Sequence, residues 1–191
     1  MPVFILHIAL KGISNPTVSR TVQVPGAITF LKLHRLIQSV FGWKHCHLHE
    51  FQVSGREDFV ITSIANMEEE ERDAEDETAA KLGEYLTAPG ETMLYVYDFG
   101  DYWEHEITVL AVHRSAGGQR SDILLAAEGA CPPEDCGGTH GYKLLKEAMT
   151  NPKHPEYKSY RVWLDLKANE VFNPWNAGLS DKVIGLWSGG F

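Results

Sequence analysis

His47-Leu48-His49 places two imidazoles one residue apart. Read as part of a strand running from His45 to Val53, it puts His47, His49, Phe51 and Val53 on one face, because side chains alternate along a strand. Two imidazoles projecting side by side can present two nitrogen ligands to a metal ion. Asp98 and His105 form a second pair. If Gly100-Asp101 is a two-residue hairpin turn, Phe99 faces Tyr102, Asp98 faces Trp103 and Val96 faces His105. Leu94, Val96 and Asp98 then share a face with Trp103, His105, Ile107 and Val109, while Tyr95, Tyr97, Glu104 and Glu106 take the other. Asp98 and His105 are diagonal neighbours on that face. A one-residue slip would exchange the two faces. A carboxylate and an imidazole among apolar side chains need a partner, since burying a polar group unpaired costs roughly 2–7 kcal/mol. His47, His49, His105 and Asp98 together would be a three-nitrogen, one-oxygen set suited to zinc or a similar divalent ion. Glu50 and Glu104, each next to a candidate ligand in sequence, are the candidates for a catalytic base. The other reading of the same residues is that they are core histidines, hydrogen-bonded and serving the fold.

A second block, Cys131-Pro132-Pro133-Glu134-Asp135-Cys136-Gly137-Gly138, combines two thiols with two carboxylates. Thiolates bind zinc, but a structural site usually draws on a second pair, and here Cys46 or a histidine would have to complete it. The prolines stiffen the loop and the glycines permit positive φ. Such a loop could offer backbone N–H groups to an anion at the start of the helix that follows. It could equally be a rigid turn with inert thiols, or a thiol pair with a redox role. Glu134, Asp135 and the hairpin-tip Asp101 are carboxylates on loops, open to acid–base or metal chemistry or simply solvated and capping. No phosphate-cradling glycine motif, zincin motif or nucleophile elbow is present.

The elements that must hold these residues read as α+β. Val3–Lys11 alternates, with Phe4, Leu6, Ile8 and Leu10 on one face and His7 and Lys11 on the other. Thr17–Val24 alternates again and suits an antiparallel partner. Thr29 is a helix cap, Phe30, Leu33, Leu36, Ile37, Val40 and Phe41 recur at helical spacing, and Gly42 ends the run. Phe59–Ile61 suits a hairpin mate for the His45–Val53 strand. Thr78–Leu86 suits a short helix. Met93–Asp98, Trp103–His113 and Ile123–Glu128 read as strands, and Gly141–Met149 and Glu156–Leu164 as helices. Strands and helices do not alternate regularly, so the expectation is a mixed, mainly antiparallel sheet packed by an N-terminal helix and C-terminal helices.

The chain has 191 residues and a formal net charge of -9. Residues 68–77, EEEERDAEDE, hold eight carboxylates and one arginine and so supply -7 of it. The remaining 181 residues carry 18 acidic and 16 basic side chains, a net of -2. Like charges this dense suit a solvated loop, a surface insertion over 66–77, or a tract that binds cations or a partner. With no basic cluster visible, non-specific DNA binding is disfavoured. No segment approaches the ~20 apolar residues of a membrane span. Met1–Leu10 lacks the marks of a signal peptide, and three cysteines leave one unpaired under any pairing, so a reducing cytoplasm is the expected setting.

Three blocks in order, His47-Leu48-His49-Glu50-Phe51, Tyr97-Asp98-Phe99-Gly100-Asp101-Tyr102-Trp103-Glu104-His105 and Cys131 to Gly138, resemble the plasmid pRiA4b ORF-3-like family. Leu10-Lys11-Gly12-Ile13, Phe41-Gly42-Trp43 and Phe172-Asn173-Pro174 resemble it too. The resemblance covers roughly residues 4–175, which implies one such domain over 1–175 and a tail over 176–191. The family is also labelled a resolvase-like (TnpR) passenger of insertion elements, which implies DNA strand exchange. A serine recombinase needs an activated serine amid arginines, and the seven arginines here are scattered. Two function classes follow. One is a non-enzymatic binding or adaptor module with a protein or nucleic-acid partner. The other is a metal-dependent hydrolase of phosphoester or amide bonds built on the His/Asp set.

Overall fold

The computed structural model describes residues 1–67, 72–114 and 123–177. Eight strands form one sheet: β1 (Pro2–Leu10), β2 (Ser19–Pro25), β3 (His49–Val53), β4 (Phe59–Thr62), β5 (Asp73–Asp76), β6 (Thr92–Tyr97), β7 (Trp103–Arg114) and β8 (Ile123–Glu128). The helices are α1 (Phe30–Phe41), α2 (Ile64–Met67), α3 (Gly138–Thr150) and α4 (Tyr157–Trp163). The strand order is β5-β4-β3-β6-β7-β1-β2-β8. Neighbours run antiparallel except β4 and β5. The mixed, mainly antiparallel α+β architecture expected from the sequence is therefore observed.

Alternation explains β1. Phe4, Leu6, Ile8 and Leu10 are buried, and His7 turns away to meet Thr21 at 3.2 Å. Each such apolar side chain contributes about 1.5–3 kcal/mol on burial. α1 begins where Thr29 accepts from the Lys32 N–H and ends where Gly42, at φ 92, donates to the Gln38 carbonyl. Its apolar stripe lies against the sheet, with Phe30 4.9 Å from Phe51 and Phe41 5.0 Å from His105 between ring centres. Tyr142, Leu145 and Met149 of α3 join the same core.

Four expectations change. The β6–β7 hairpin pairs Tyr97 with Trp103 and Tyr95 with His105. The connection is thus the five residues Asp98–Tyr102, not a two-residue turn, and the Tyr102 N–H returns to the Asp98 carbonyl at 2.6 Å. Met93, Tyr95 and Tyr97 therefore share the core face with Trp103, His105 and Ile107, while Leu94 and Val96 face the other way. This register buries two tyrosine rings whose hydroxyls find polar partners. The expected one would have put the Asp98 carboxylate on the core face of the ladder.

Second, β3 starts only at His49, so His47 is not on the strand. Third, the acidic tract is not simply a solvated loop. Asp73–Asp76 is an edge strand, and Glu77 is buried. Three of its carboxylates have partners: Glu75 accepts from the Tyr85 hydroxyl, Asp76 from the Thr78 N–H and hydroxyl, and Glu77 meets His49. Residues 68–71 lie outside the described residues. Fourth, 78–86 is not an α-helix. Only Leu82–Glu84 makes a 3-10 turn, because the Leu82 and Gly83 N–H groups donate to Ile28 and Gly26. The expected tail over 176–191 lies, apart from 176 and 177, outside the described residues.

One residue had no sequence signal beyond its place on the apolar face of β2. Arg20 is fully buried, and its guanidinium donates to the carbonyls of Val40, Ser19, Glu128 and Gly129. It also lies over the Phe41 ring at 4.8 Å. It fastens the end of α1 to the end of β8, where the Cys131–Cys136 loop begins.

Candidate metal centre

Three loops meet at one end of the sheet. Trp43, just past α1, packs on Tyr97 and donates its indole N–H to the Pro132 carbonyl at 2.8 Å. The hairpin loop approaches from the other side. Asp101 accepts the Gly137 N–H at 3.0 Å. At Gly138, φ is 65° and a Cβ would stand 2.8 Å from the Asp101 carbonyl oxygen, so only glycine lets the two loops touch. These contacts bring the three sequence blocks together.

Where they meet, His47 Nε2 is 3.3 Å from Asp135 Oδ1, 3.7 Å from Asp98 Oδ2 and 3.8 Å from Glu134 Oε2. This nitrogen is buried and has no hydrogen-bond partner. The side chains of Asp98 and Glu134 are 9% exposed, that of His47 26% and that of Asp135 74%, so the cluster is sheltered on one side and open on the other. Donors bound to a common ion at roughly 2.0–2.2 Å sit about 3–4 Å apart, and the observed spacings match. Two donor triads lie here, His47-Asp98-Asp135 and Cys46-His47-Glu134, with the donor atoms of each within 4.8 Å of one another and only His47 in common.

The carboxylates are held before any ligand arrives. Glu134 accepts the Lys44 N–H at 2.7 Å and the Tyr97 hydroxyl at 3.1 Å. Asp98 accepts the Gly100 N–H at 2.9 Å. Tyr97 stays protonated, its hydroxyl pushed well above the usual range first by burial. Asp98 and Asp135 sit at φ 59° and 55°, left-handed backbone that costs non-glycine residues energy and recurs where a site demands a particular aim.

The architecture and the blocks can be compared with known proteins. A model of the family described as plasmid pRiA4b ORF-3-like protein matches residues 2–178. The chain belongs to this family. An uncharacterized protein, y4hQ of Sinorhizobium fredii (strain NBRC 101917 / NGR234), is 32% identical over 149 residues, covering 78% of this chain and 74% of that one. The crystal structure of a protein of unknown function, MM3350 from Methanosarcina mazei Go1, superposes with a TM-score of 0.75 at 34% identity, covering 91% of this chain and 96% of its own. The resemblance carried by the three blocks is borne out.

In this pRiA4b ORF-3-like chain the other candidate residues are occupied elsewhere. His49 meets Glu77 at 2.7 Å and stacks on His34 at 3.5 Å between ring centres. His105 is fully buried, with Nδ1 3.2 Å from the Tyr95 carbonyl and its ring edge-on to Phe41 and Trp43. Burial holds its pKa down at about 3. Of the four proposed ligands the structure thus brings together only His47 and Asp98, and it adds Glu134 and Asp135. Glu50 pairs with Arg72 at 2.7 Å and Glu104 with Lys11 at 3.2 Å, so neither faces the cluster. Trp103 is a core side chain packed near Trp43. All three thiols are free. Burial pushes Cys131 far up and Cys136 up to about 12, which keeps both protonated and poorly nucleophilic.

Sequence reasoning missed a polar cluster beside the site. The Gln38 amide donates to the Tyr95 hydroxyl, Tyr95 meets His34 Nδ1 at 2.6 Å, and His34 Nε2 meets His45 Nδ1. The available signal was His34 itself, a polar residue four places from Phe30 on an apolar helical stripe.

Proposed function

We propose that the protein is a metal-dependent hydrolase with one divalent ion, zinc or a similar metal, held by His47, Asp98 and Asp135, with Glu134 on the far side of His47 Nε2. The observation that carries this reading is the buried His47 Nε2, which makes no hydrogen bond and faces three carboxylates at 3.3–3.8 Å. The ion pairs these carboxylates make among the described residues are all to His47, so a dication would neutralise charge that otherwise repels itself. One nitrogen and two carboxylates suit zinc, manganese or iron more than a thiolate-only metal. The exposed side of Asp135 leaves the centre open, as catalytic sites are and structural zinc sites are not.

Such an ion, when bound, would polarise a phosphoryl or carbonyl oxygen. The protein's own groups fix the donors. Tyr97 and the Lys44 N–H aim Glu134, and the Gly100 N–H aims Asp98, outer contacts of the kind that tune metal sites.

Metal analysis of the purified, untagged chain tests the reading. The expected result is one ion per chain and a weakening of at least about tenfold in His47→Ala, with Asp98→Asn behaving alike. His49→Ala should leave affinity within about threefold. Substoichiometric metal that is indifferent to His47 would sink the proposal. Hydrolysis of phosphoester and amide substrates with and without the ion then separates an enzyme from a binding module.

A further inference from the structure

A cavity of about 640 Å³ opens beside the carboxylate cluster. Asp135 lines it and also belongs to the ion centre, so the two adjoin, while His47 and Asp98 stand outside its lining. Its walls are the exit of α1 with Trp43 and Lys44, the loop from Cys131 to Asp135, and the end of α4 with Trp163 and Asp165. We infer that this cavity is the substrate subsite of the ion centre and that it takes a small phosphate monoester carrying a flat ring, of which a nucleoside monophosphate is the simplest. The inference rests on the ion reading above.

Size is the first argument, because such a volume suits a small molecule rather than a polymer. Charge is the second. Lys44 is exposed on the wall and makes no ion pair among the described residues. With a dication at His47, Asp98 and Asp135, the Asp135 end of the cavity beside Lys44 is where an anion belongs, away from Asp165 by the end of α4, and a neutral amide would make no use of Lys44. Without the ion the same carboxylates repel phosphate. Shape is the third argument. Trp163 lines the same cavity and is 46% exposed. An exposed indole lining a cavity offers a platform for a ring, and stacking of this kind is tolerant of which base is offered. In the hydrolysis, a water oxygen forms the new bond to phosphorus and the ester P–O bond breaks. The alcohol leaves with a proton that the water gives up, so alcohol and inorganic phosphate are the products and nothing is oxidised.

Calorimetry of the full chain with adenosine monophosphate, ribose phosphate and adenosine, each with and without Zn²⁺ or Mn²⁺, tests this. Adenosine monophosphate should bind only with metal, and at least about fivefold tighter than ribose phosphate. Trp163→Leu should abolish that ring preference with metal affinity unchanged, and Lys44→Met should weaken both phosphates alike. Equal binding of the two phosphates to the metal-loaded chain, or a preference that survives Trp163→Leu, overturns the inference. Adenosine needs no metal, so its binding to the wild-type chain and its loss in Trp163→Leu read the ring subsite even if no ion binds. Absence of any metal binding would sink the ion reading while adenosine binding of this kind upholds the ring platform; failure of adenosine together with the phosphates sinks the subsite.

Discussion

His47 and His105 each bury a ring nitrogen that has no hydrogen-bond partner, yet their surroundings assign them opposite roles. Around His47 Nε2 stand three carboxylates. Around His105 stand the rings of Phe41, Trp43 and Tyr95. His105 Nδ1–H donates to the Tyr95 carbonyl, which leaves a bare lone pair on Nε2 and a neutral ring. Burial first, then the neighbouring His49, His45 and Arg35 charges, also holds His34 down, at about 2. The consequence for stability has a definite sign. Both folded values lie below the ordinary 6.5, so the unfolded chain binds more protons throughout the interval between. The contribution is fully present above pH ~6.5 and is lost as pH falls towards ~3, at up to roughly 1.4 kcal/mol per pH unit per group. Denaturant unfolding at a series of pH values should show that slope, and His105→Leu should make it shallower. An unchanged slope in that variant would mean that His105 is not held neutral.

At the scale of elements, the site depends on two loops that must touch. The five-residue connection between β6 and β7 carries Asp98 and Asp101, and the loop before α3 carries Glu134 and Asp135. Their contact is Gly138 against the Asp101 carbonyl. Gly138→Ala should cost about 1–3 kcal/mol through its left-handed backbone. It should also lower metal affinity by pushing the loop with Glu134 and Asp135 away from His47. Titration of the metal and of denaturant on the same variant would check both, and a variant that loses neither would show that the two loops are not coupled. The β6–β7 hairpin also shows why register was only half legible. Alternation identifies the face carrying Trp103, His105, Ile107 and Val109, and those residues do lie inwards. It could not choose the loop length, because both registers satisfy a period of two. The choice depended on hydroxyl partners for Tyr95 and Tyr97 that come from α1 and from Glu134, far away in sequence.

Over the whole molecule, charge is distributed less simply than the total of -9 suggests. Much of it falls in residues 68–77, yet Glu77 is a buried partner of His49 and Asp73–Asp76 an edge strand. A second, smaller concentration is the cluster at His47, built from residues that no single segment holds. Binding an ion there should stabilise the native state alone. At a free concentration a hundred times Kd the gain is about 2.7 kcal/mol, which for a chain of this size raises Tm by about 5–10 °C. Thermal unfolding with Zn²⁺ or Mn²⁺, reversed by a chelator, would register it. A Tm indifferent to both would count against the centre. Among the described residues no helix is long and apolar enough to cross a membrane.

Local pattern determined much of the protein. Period-two and helical spacing located β1, β2 and α1 with their buried faces, Thr29 and Gly42 bounded the helix, and three short blocks sufficed to show the family. Those features depend on neighbours within a few residues, so the chain states them locally. What His47, Asp98, Glu134 and Asp135 do together was decided only in three dimensions. Trp43 and Asp101 draw three separate loops into contact, while His49 and His105, alike in sequence, are taken up by Glu77 and by the aromatic core. A donor set is defined by distances of a few ångströms between residues scattered along the chain, and one slipped register or one shortened strand reassigns every member.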